Sequence, residues 1–181
     1  MCIATNATLL LPLSAQDICF NSNFNGCGGG QISTPWSYIK STGAVTGSQQ
    51  QPDDGKTDPF KGLGLYSKFS LPHCHHQGPT HGDPYPAEGA AGCPSQSSPR
   101  GPKACDSDAK APHNDFKSDK YTFSGQTISP RGESGLQQAI SEGGSVEIAF
   151  TVYTDFENYG GGIYQHKSGG MAGGHAVKRV S

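Results

Sequence analysis

Apolar residues in this chain come in short bursts separated by polar and glycine-rich stretches, and two kinds of period can be read from them. From Val146 to Tyr153 the alternation is strict. Val146, Ile148, Phe150 and Val152 stand against Glu147, Ala149, Thr151 and Tyr153, a period of two that predicts a β-strand. "GGGIYQH" and "GGHAVKRV" repeat the pattern more briefly and predict two further short strands. A helical period occurs earlier. Ser14-Ala-Gln-Asp-Ile18 predicts a helix start with Ser14 as its cap and Asp17 as the acidic third residue. Gln31–Lys40 predicts a short helix on an Ile32, Trp36, Ile39 stripe, Trp36 being read as core, with Pro35 tolerable only in the first turn. Residues 134–142 predict one more helix. Helical segments come first and β-rich segments second, which reads as an α+β fold with segregated elements.

Between these halves the pattern breaks. Residues 72–112 carry eight of the 13 prolines, so neither a helix nor a paired strand persists there. Cys74 and Cys93 bracket the first half of this insert, which favours a loop held by a disulfide over a loose one. The chain is thus divided into residues 1–71, mostly helical, the proline-rich insert 72–112, and residues 113–181, β-rich.

Composition sharpens this picture. Hydrophobic residues make up only 33% of 181 residues, beside 26 glycines, so a single loop-rich domain is expected. The net charge of -2 gives no electrostatic case for nucleic acid or an anionic membrane, and no apolar run approaches the length of a span. The six cysteines, Cys2, Cys19, Cys27, Cys74, Cys93 and Cys105, are even in number and lie mostly in loops. They favour disulfides and an oxidising compartment, and Asn6-Ala7-Thr8 is a glycosylation sequon consistent with secretion. The first residues have no basic start and Pro12 interrupts their apolar stretch, so they do not form a signal peptide; residues upstream of Met1 are expected.

Three places hold candidate chemistry. His175, set between Gly173-Gly174 and a β-forming run, is a candidate for catalysis at a strand mouth. Cys27, just before a predicted helix, is a possible thiolate, but Gly-Gly-Gly follows it and it is read as structural. The "HCHH" at 73–76 with His81 nearby has residue types that suit zinc. Adjacent histidines cannot all point at one ion and no second Cys-x-x-Cys pair accompanies them, so no metal and no cofactor are expected.

Taken in order, these stretches resemble the papain family of cysteine peptidases, and within it the cathepsin B-like branch. "CIATNA" and "LSAQDI" resemble Cys-Ile-x-Thr-Asn and Ser-Ala-Glu-Asp. "GCGGG" with "PWSYIKSTGAVTG" resembles Gly-Cys-Asn-Gly-Gly, Trp-x-Tyr and Gly-x-Val-x-Gly. "LPHCHH" resembles the Cys-Glu-His-His of an occluding loop, and "VEIAFTVYTDFENYGGGIYQHKSGG" and "GGHAV" complete the series. The resemblance implies two lobes, one helical and one a β-barrel, with the active site between them, this chain being incomplete at both ends.

It also implies roles. His175 matches the catalytic histidine. Gly29 and Gly30 match glycines whose backbone pairs with bound peptide. Ala149 and Ala176 match small residues of the pocket for the second side chain before the cut, and Gly174 lies beside them as a substrate-binding position. His75 and His76 match the occluding-loop histidines, with His76 and Gln77 an equally good alignment. The implied disulfides are Cys74–Cys93 and Cys19–Cys105, Cys2 and Cys27 taking partners upstream. The family's Cys-Gly-Ser-Cys-Trp and Asn-Ser-Trp strings do not occur in these residues. The resemblance therefore implies a cysteine peptidase, endopeptidase and carboxydipeptidase, of which this chain alone is inactive. Its partners would be peptide or protein substrates and cystatin-like inhibitors, in a lysosomal or extracellular setting. The alternative is a non-catalytic pseudo-peptidase or peptide- and inhibitor-binding module.

Overall fold

A computed structural model of the chain describes residues 11–23, 25–48, 63–69, 71, 74 and 97–179. It divides into two compact units, Met1–Gln126 and Thr127–Ser181. His75, His76 and Cys93 lie outside the described residues, as do Cys2 and the sequon.

The first unit is built on helices α1 (Ala15–Ser22) and α2 (Ser33–Ser41), with a 3-10 turn at Gly26–Gly28 between them. Helix α1 starts where its cap predicts: the Ser14 hydroxyl accepts from the Asp17 amide at 3.1 Å, relieving one of the unpaired donors of a helix N-terminus. Helix α2 places Pro35 in its first turn, where a missing N–H costs nothing. Among the described residues the apolar core beneath the helices is made by Phe20, Ile39, Ala44, Val45, Leu65 and Tyr66. Trp36 does not join it. Its side of α2 faces outward and it is 41% exposed, as Ile32 is at 45%, so only Ile39 of the expected stripe packs inward.

Carboxylates occupy the space that apolar side chains leave. Asp17 is fully buried. It accepts from Asn21, the Tyr38 hydroxyl, the Val45 amide and the Lys120 ammonium at 2.7–2.9 Å. The same ammonium also donates to the Gly43 carbonyl and lies over the Phe116 ring, 4.3 Å from its centroid. Burial and the Asp17 carboxylate push the Tyr38 phenol far above its ordinary range. Asp119 is buried as well; it accepts from both the amide and hydroxyl of Thr46 at 2.7 Å and pairs with His113 Nδ1 at 2.6 Å. These contacts, with the Ala44–Tyr121 bridge, place residues 113–126 in the first unit.

The second unit holds helix α3 (Gly132–Gly143), which packs on the first of two antiparallel strands, β1 (Val146–Tyr153) and β2 (Met171–Arg179). Strand β1 spans the residues its alternation predicts. The third strand expected from "GGGIYQH" is absent: residues 160–170 are irregular, because Tyr164 and His166 turn to a carboxylate instead of to a sheet. Among the described residues no helix is long and apolar enough to cross a membrane.

Asp17 ties α1, α2 and the segments around Val45 and Lys120 together, so its removal should be felt in all of them. Breaking a buried ion pair by deleting one partner typically costs about 3–5 kcal/mol, because the other charge is left uncompensated. Asp17→Ala should therefore speed hydrogen exchange of the Val45 amide at least about 100-fold. An unchanged Val45 rate would show that the carboxylate is not what holds this segment.

Candidate active site

His175 lies in the middle of β2, directly opposite Phe150 of β1. Directly opposed residues share a face of the sheet, and the rings meet edge to face, centroids 5.8 Å apart and planes at 88°. The imidazole is exposed, so it can exchange protons with whatever approaches. Ala149 and Ala176 also oppose one another, as Thr151 and Gly174 do. By the alternation of a strand these two pairs lie on the opposite face from His175. The sheet thus places His175, Ala149, Gly174 and Ala176 on three consecutive rungs, and a Cβ built on Gly174 would come no nearer than 3.9 Å to the Phe150 carbonyl.

The register that puts His175 opposite Phe150 contains one irregularity. Val152 opposes Gly173 while Tyr153 opposes Met171, so Ala172 is an extra residue, a β-bulge. Gly173 takes φ +155° there, a backbone state that side chains with a Cβ rarely adopt. A one-residue change of register moves every following side chain to the other face, so the bulge decides where His175 points.

The segment between the strands is held by Asp155. Its carboxylate accepts from the Tyr164 hydroxyl at 2.6 Å, the Lys167 amide at 2.8 Å and the Ser168 amide at 3.1 Å, and contacts His166 Nδ1 at 3.1 Å. The Tyr164 hydroxyl, then the backbone donor at Lys167, hold this carboxyl far below the usual carboxylate range. Partial burial and the Asp155 charge push the Tyr164 phenol up to about 12. The His166 ring stacks on Tyr153 at 3.7 Å, and Phe156 packs against both Tyr164 and Phe150, at 4.9 and 5.6 Å. The strand patterns include Phe150, Tyr153, Tyr164 and His166 but do not reveal Asp155 as their hub; the signal in the sequence is an acidic residue set among aromatics immediately after a strand.

In the first unit, Gly29 and Gly30 follow the 3-10 turn. Gly29 has φ +85°, donates to the Gly26 carbonyl and accepts from Asn23 Nδ2 at 2.9 Å. The Cys19–Cys105 bridge implied by the resemblance is not formed, and both residues are free thiols, as is Cys27. Cys105 Sγ is directed at the Asn114 carbonyl at 3.5 Å. Cys19 is turned toward the Gly26–Cys27 turn, where burial and then the neighbouring Cys27 raise its pKa. Cys74 is disulfide-bonded, and its partner is not among the described cysteines. Among the described residues no group of three or more His, Cys, Asp or Glu is placed to hold a metal.

Comparison with known proteins places this arrangement. The sequence profile of the family described as "Papain family cysteine protease" matches residues 1–181. The chain belongs to the papain family of cysteine proteases. It is 35% identical over 185 residues to the "Cathepsin B-like cysteine proteinase 6" of Caenorhabditis elegans, covering 99% of this chain and 44% of that protein. It is 31% identical over 182 residues to a "Cathepsin B-like cysteine proteinase" of Schistosoma japonicum, covering 99% of this chain and 48% of that protein. The chain therefore spans about half the length of these relatives. A solved structure, "proCathepsin B S9 from Trypanosoma congolense", shares the fold with a TM-score of 0.61 at 21% identity, covering 99% of this chain and 48% of that one. The papain-family fold expected from the motifs is thus present, with helices and sheet in the order the sequence predicts.

The Asp155 contacts carry a pH prediction for this papain-family chain. A carboxyl whose folded pKa is depressed stabilises fully above its unfolded value, about 3.9, and loses that contribution only as pH falls below it. The Asp155 side-chain carboxyl-carbon resonance should therefore show no carboxyl titration from neutral pH down to about 4 and move with protonation only at more acid pH. A midpoint at or above the ordinary carboxylate value would contradict the hub.

Proposed function

We propose that this chain is part of a cathepsin B-like cysteine peptidase, with His175 as the histidine of its Cys-His pair. Hydrolysis of a peptide bond by a thiol needs the thiolate, because the thiol itself attacks a carbonyl poorly. A neighbouring imidazole takes the thiol proton, stabilises the thiolate as an ion pair, and returns the proton to the leaving amine. An exposed imidazole fixed on a strand suits both transfers. The observation that carries the reading is the family match over the whole chain with His175 at the "GGHAV" position, in a sheet that holds its ring against Phe150.

The remaining assignments follow the same reading. Gly29 and Gly30 pair with the substrate backbone, and Ala149, Gly174 and Ala176 leave space for its side chains. His75 and His76, beside the disulfide-bonded Cys74, bind a C-terminal carboxylate by charge-assisted hydrogen bonds when protonated. Substrates are peptides and proteins, with cystatin-like inhibitors as further partners, in a lysosomal or extracellular compartment. These 181 residues do not contain Cys-Gly-Ser-Cys-Trp, so the chain alone holds a general acid and no matching nucleophile.

The test uses the chain alone beside a whole protein that carries the Cys-Gly-Ser-Cys-Trp string. The chain alone should show no thiol-dependent peptidase activity. In the whole protein His175→Ala should lower kcat by about 10²–10⁴-fold, the usual worth of general acid–base catalysis. Activity of the chain alone that Cys27→Ser abolishes would make Cys27 the nucleophile and overturn the reading, as would full activity in H175A.

The carboxydipeptidase assignment has its own test. Release of C-terminal dipeptides should fall as pH rises through the histidine range, about 6.5, while internal cleavage does not fall with it. Replacing both His75 and His76 by alanine should abolish the difference. Unchanged dipeptide release relative to internal cleavage would show that these histidines do not bind the carboxylate.

A further inference from the structure

We infer that Asp155 is a positioning residue for His175: by closing the segment between β1 and β2 it fixes both the register and the ring packing that aim the imidazole. The inference rests on the proposed role of His175 for its functional meaning, though not for its geometry.

Two routes lead from the carboxylate to the imidazole. The first runs through rings. Asp155 holds Tyr164 by its hydroxyl at 2.6 Å, and Tyr164 meets Phe156 edge to face at 4.9 Å. Phe156 meets Phe150 at 5.6 Å and 68°, and Phe150 meets His175 at 5.8 Å and 88°. Phe150 is thus placed between Phe156 and His175. Edge-to-face pairs have a preferred geometry, so each ring constrains the next. An imidazole packed against a ring loses that orienting contact when the ring is freed.

The second route runs through the backbone. Asp155 accepts from the Lys167 and Ser168 amides, and the adjacent Thr154 amide donates to the Gly170 carbonyl at 3.1 Å. These bonds return the chain to the sheet at Met171, opposite Tyr153, and set the bulge at Ala172–Gly173. The side chain two positions after Gly173 is His175. Releasing the return segment releases the bulge, and the bulge selects the face on which His175 stands. A neutral amide at position 155 has a single acceptor oxygen and cannot collect the donors that the two carboxylate oxygens take.

The test is made first on the 181-residue chain by NMR, where catalysis does not enter. The His175 ring protons should carry a ring-current displacement from Phe150. Asp155→Asn should remove about half of it or more, since a freed ring averages over its rotamers. Phe156→Leu leaves the carboxylate and its donors in place but removes the ring that backs Phe150, and should do the same. Glu157→Gln, a neighbouring exposed change, should leave the displacement unaltered. Should D155N lose the β1–β2 pairing altogether, F156L decides. If F156L, or a D155N that keeps its strand pairing, retains the full displacement, the inference is overturned.

The second arm uses the whole protein. Asp155→Asn should lower kcat by about 10- to 100-fold through misplacement of the imidazole, with KM unchanged within about two-fold. Loss through KM alone would contradict positioning. H175A that is fully active would sink the proposed function while leaving the NMR result standing, so the two failures are separable.

Discussion

Asp17 cannot be reached by water, yet its two oxygens have no lack of partners: donors from α1, α2, the Val45 amide and Lys120 converge on them. A buried charge is tolerable only when it is paired and hydrogen-bonded. The consequence is geometric. Segments far apart in sequence must come within hydrogen-bond distance of one side chain, and they bring Phe20, Ile39 and Val45 into the core as they do so. Among the described residues of the first unit few large apolar side chains are buried, so this convergence supplies specificity there. Asp119 does the same with Thr46 and His113, and Asp155 repeats the device in the second unit with donors from residues 164–168.

The device suits the proposed function. A peptidase needs a stiff frame around its reacting groups, because small misplacements cost large factors in rate. His175 is exposed, so burial does not hold it. In the inferred arrangement its orientation depends on Phe150 and on the register of β2. Both depend on a loop that would otherwise be free, and the carboxylate that closes this loop keeps its charge well into acid conditions because its donors hold the pKa down.

Local rules were legible in the residues and non-local ones were not. Ser14 as a cap, Pro35 in a first turn and the alternation of Val146–Tyr153 are each decided by neighbours a few positions away, and each element forms where those neighbours place it. Trp36 followed the helical period yet faces outward, because period alone does not say which side of a helix meets the core. "GGGIYQH" alternates like a strand, but Tyr164 and His166 are drawn to Asp155, a partner no local pattern reveals. The likeness of "GGHAV" to a family motif marked His175; that Phe150, Phe156 and Asp155 stand behind it could be learned only from the fold. Cys19 and Cys105 were paired by likeness, whereas the structure leaves both as thiols.

The proposed ion pair between His175 and a catalytic thiol is tested most directly by the pH dependence of thiol alkylation in the whole protein. A thiolate stabilised by an imidazolium should react with iodoacetamide at nearly its full rate well below the ordinary thiol pKa of about 8.5. In His175→Ala the rate should instead rise with pH along a simple thiol titration near about 8.5. The same alkylation profile in both proteins would contradict the account.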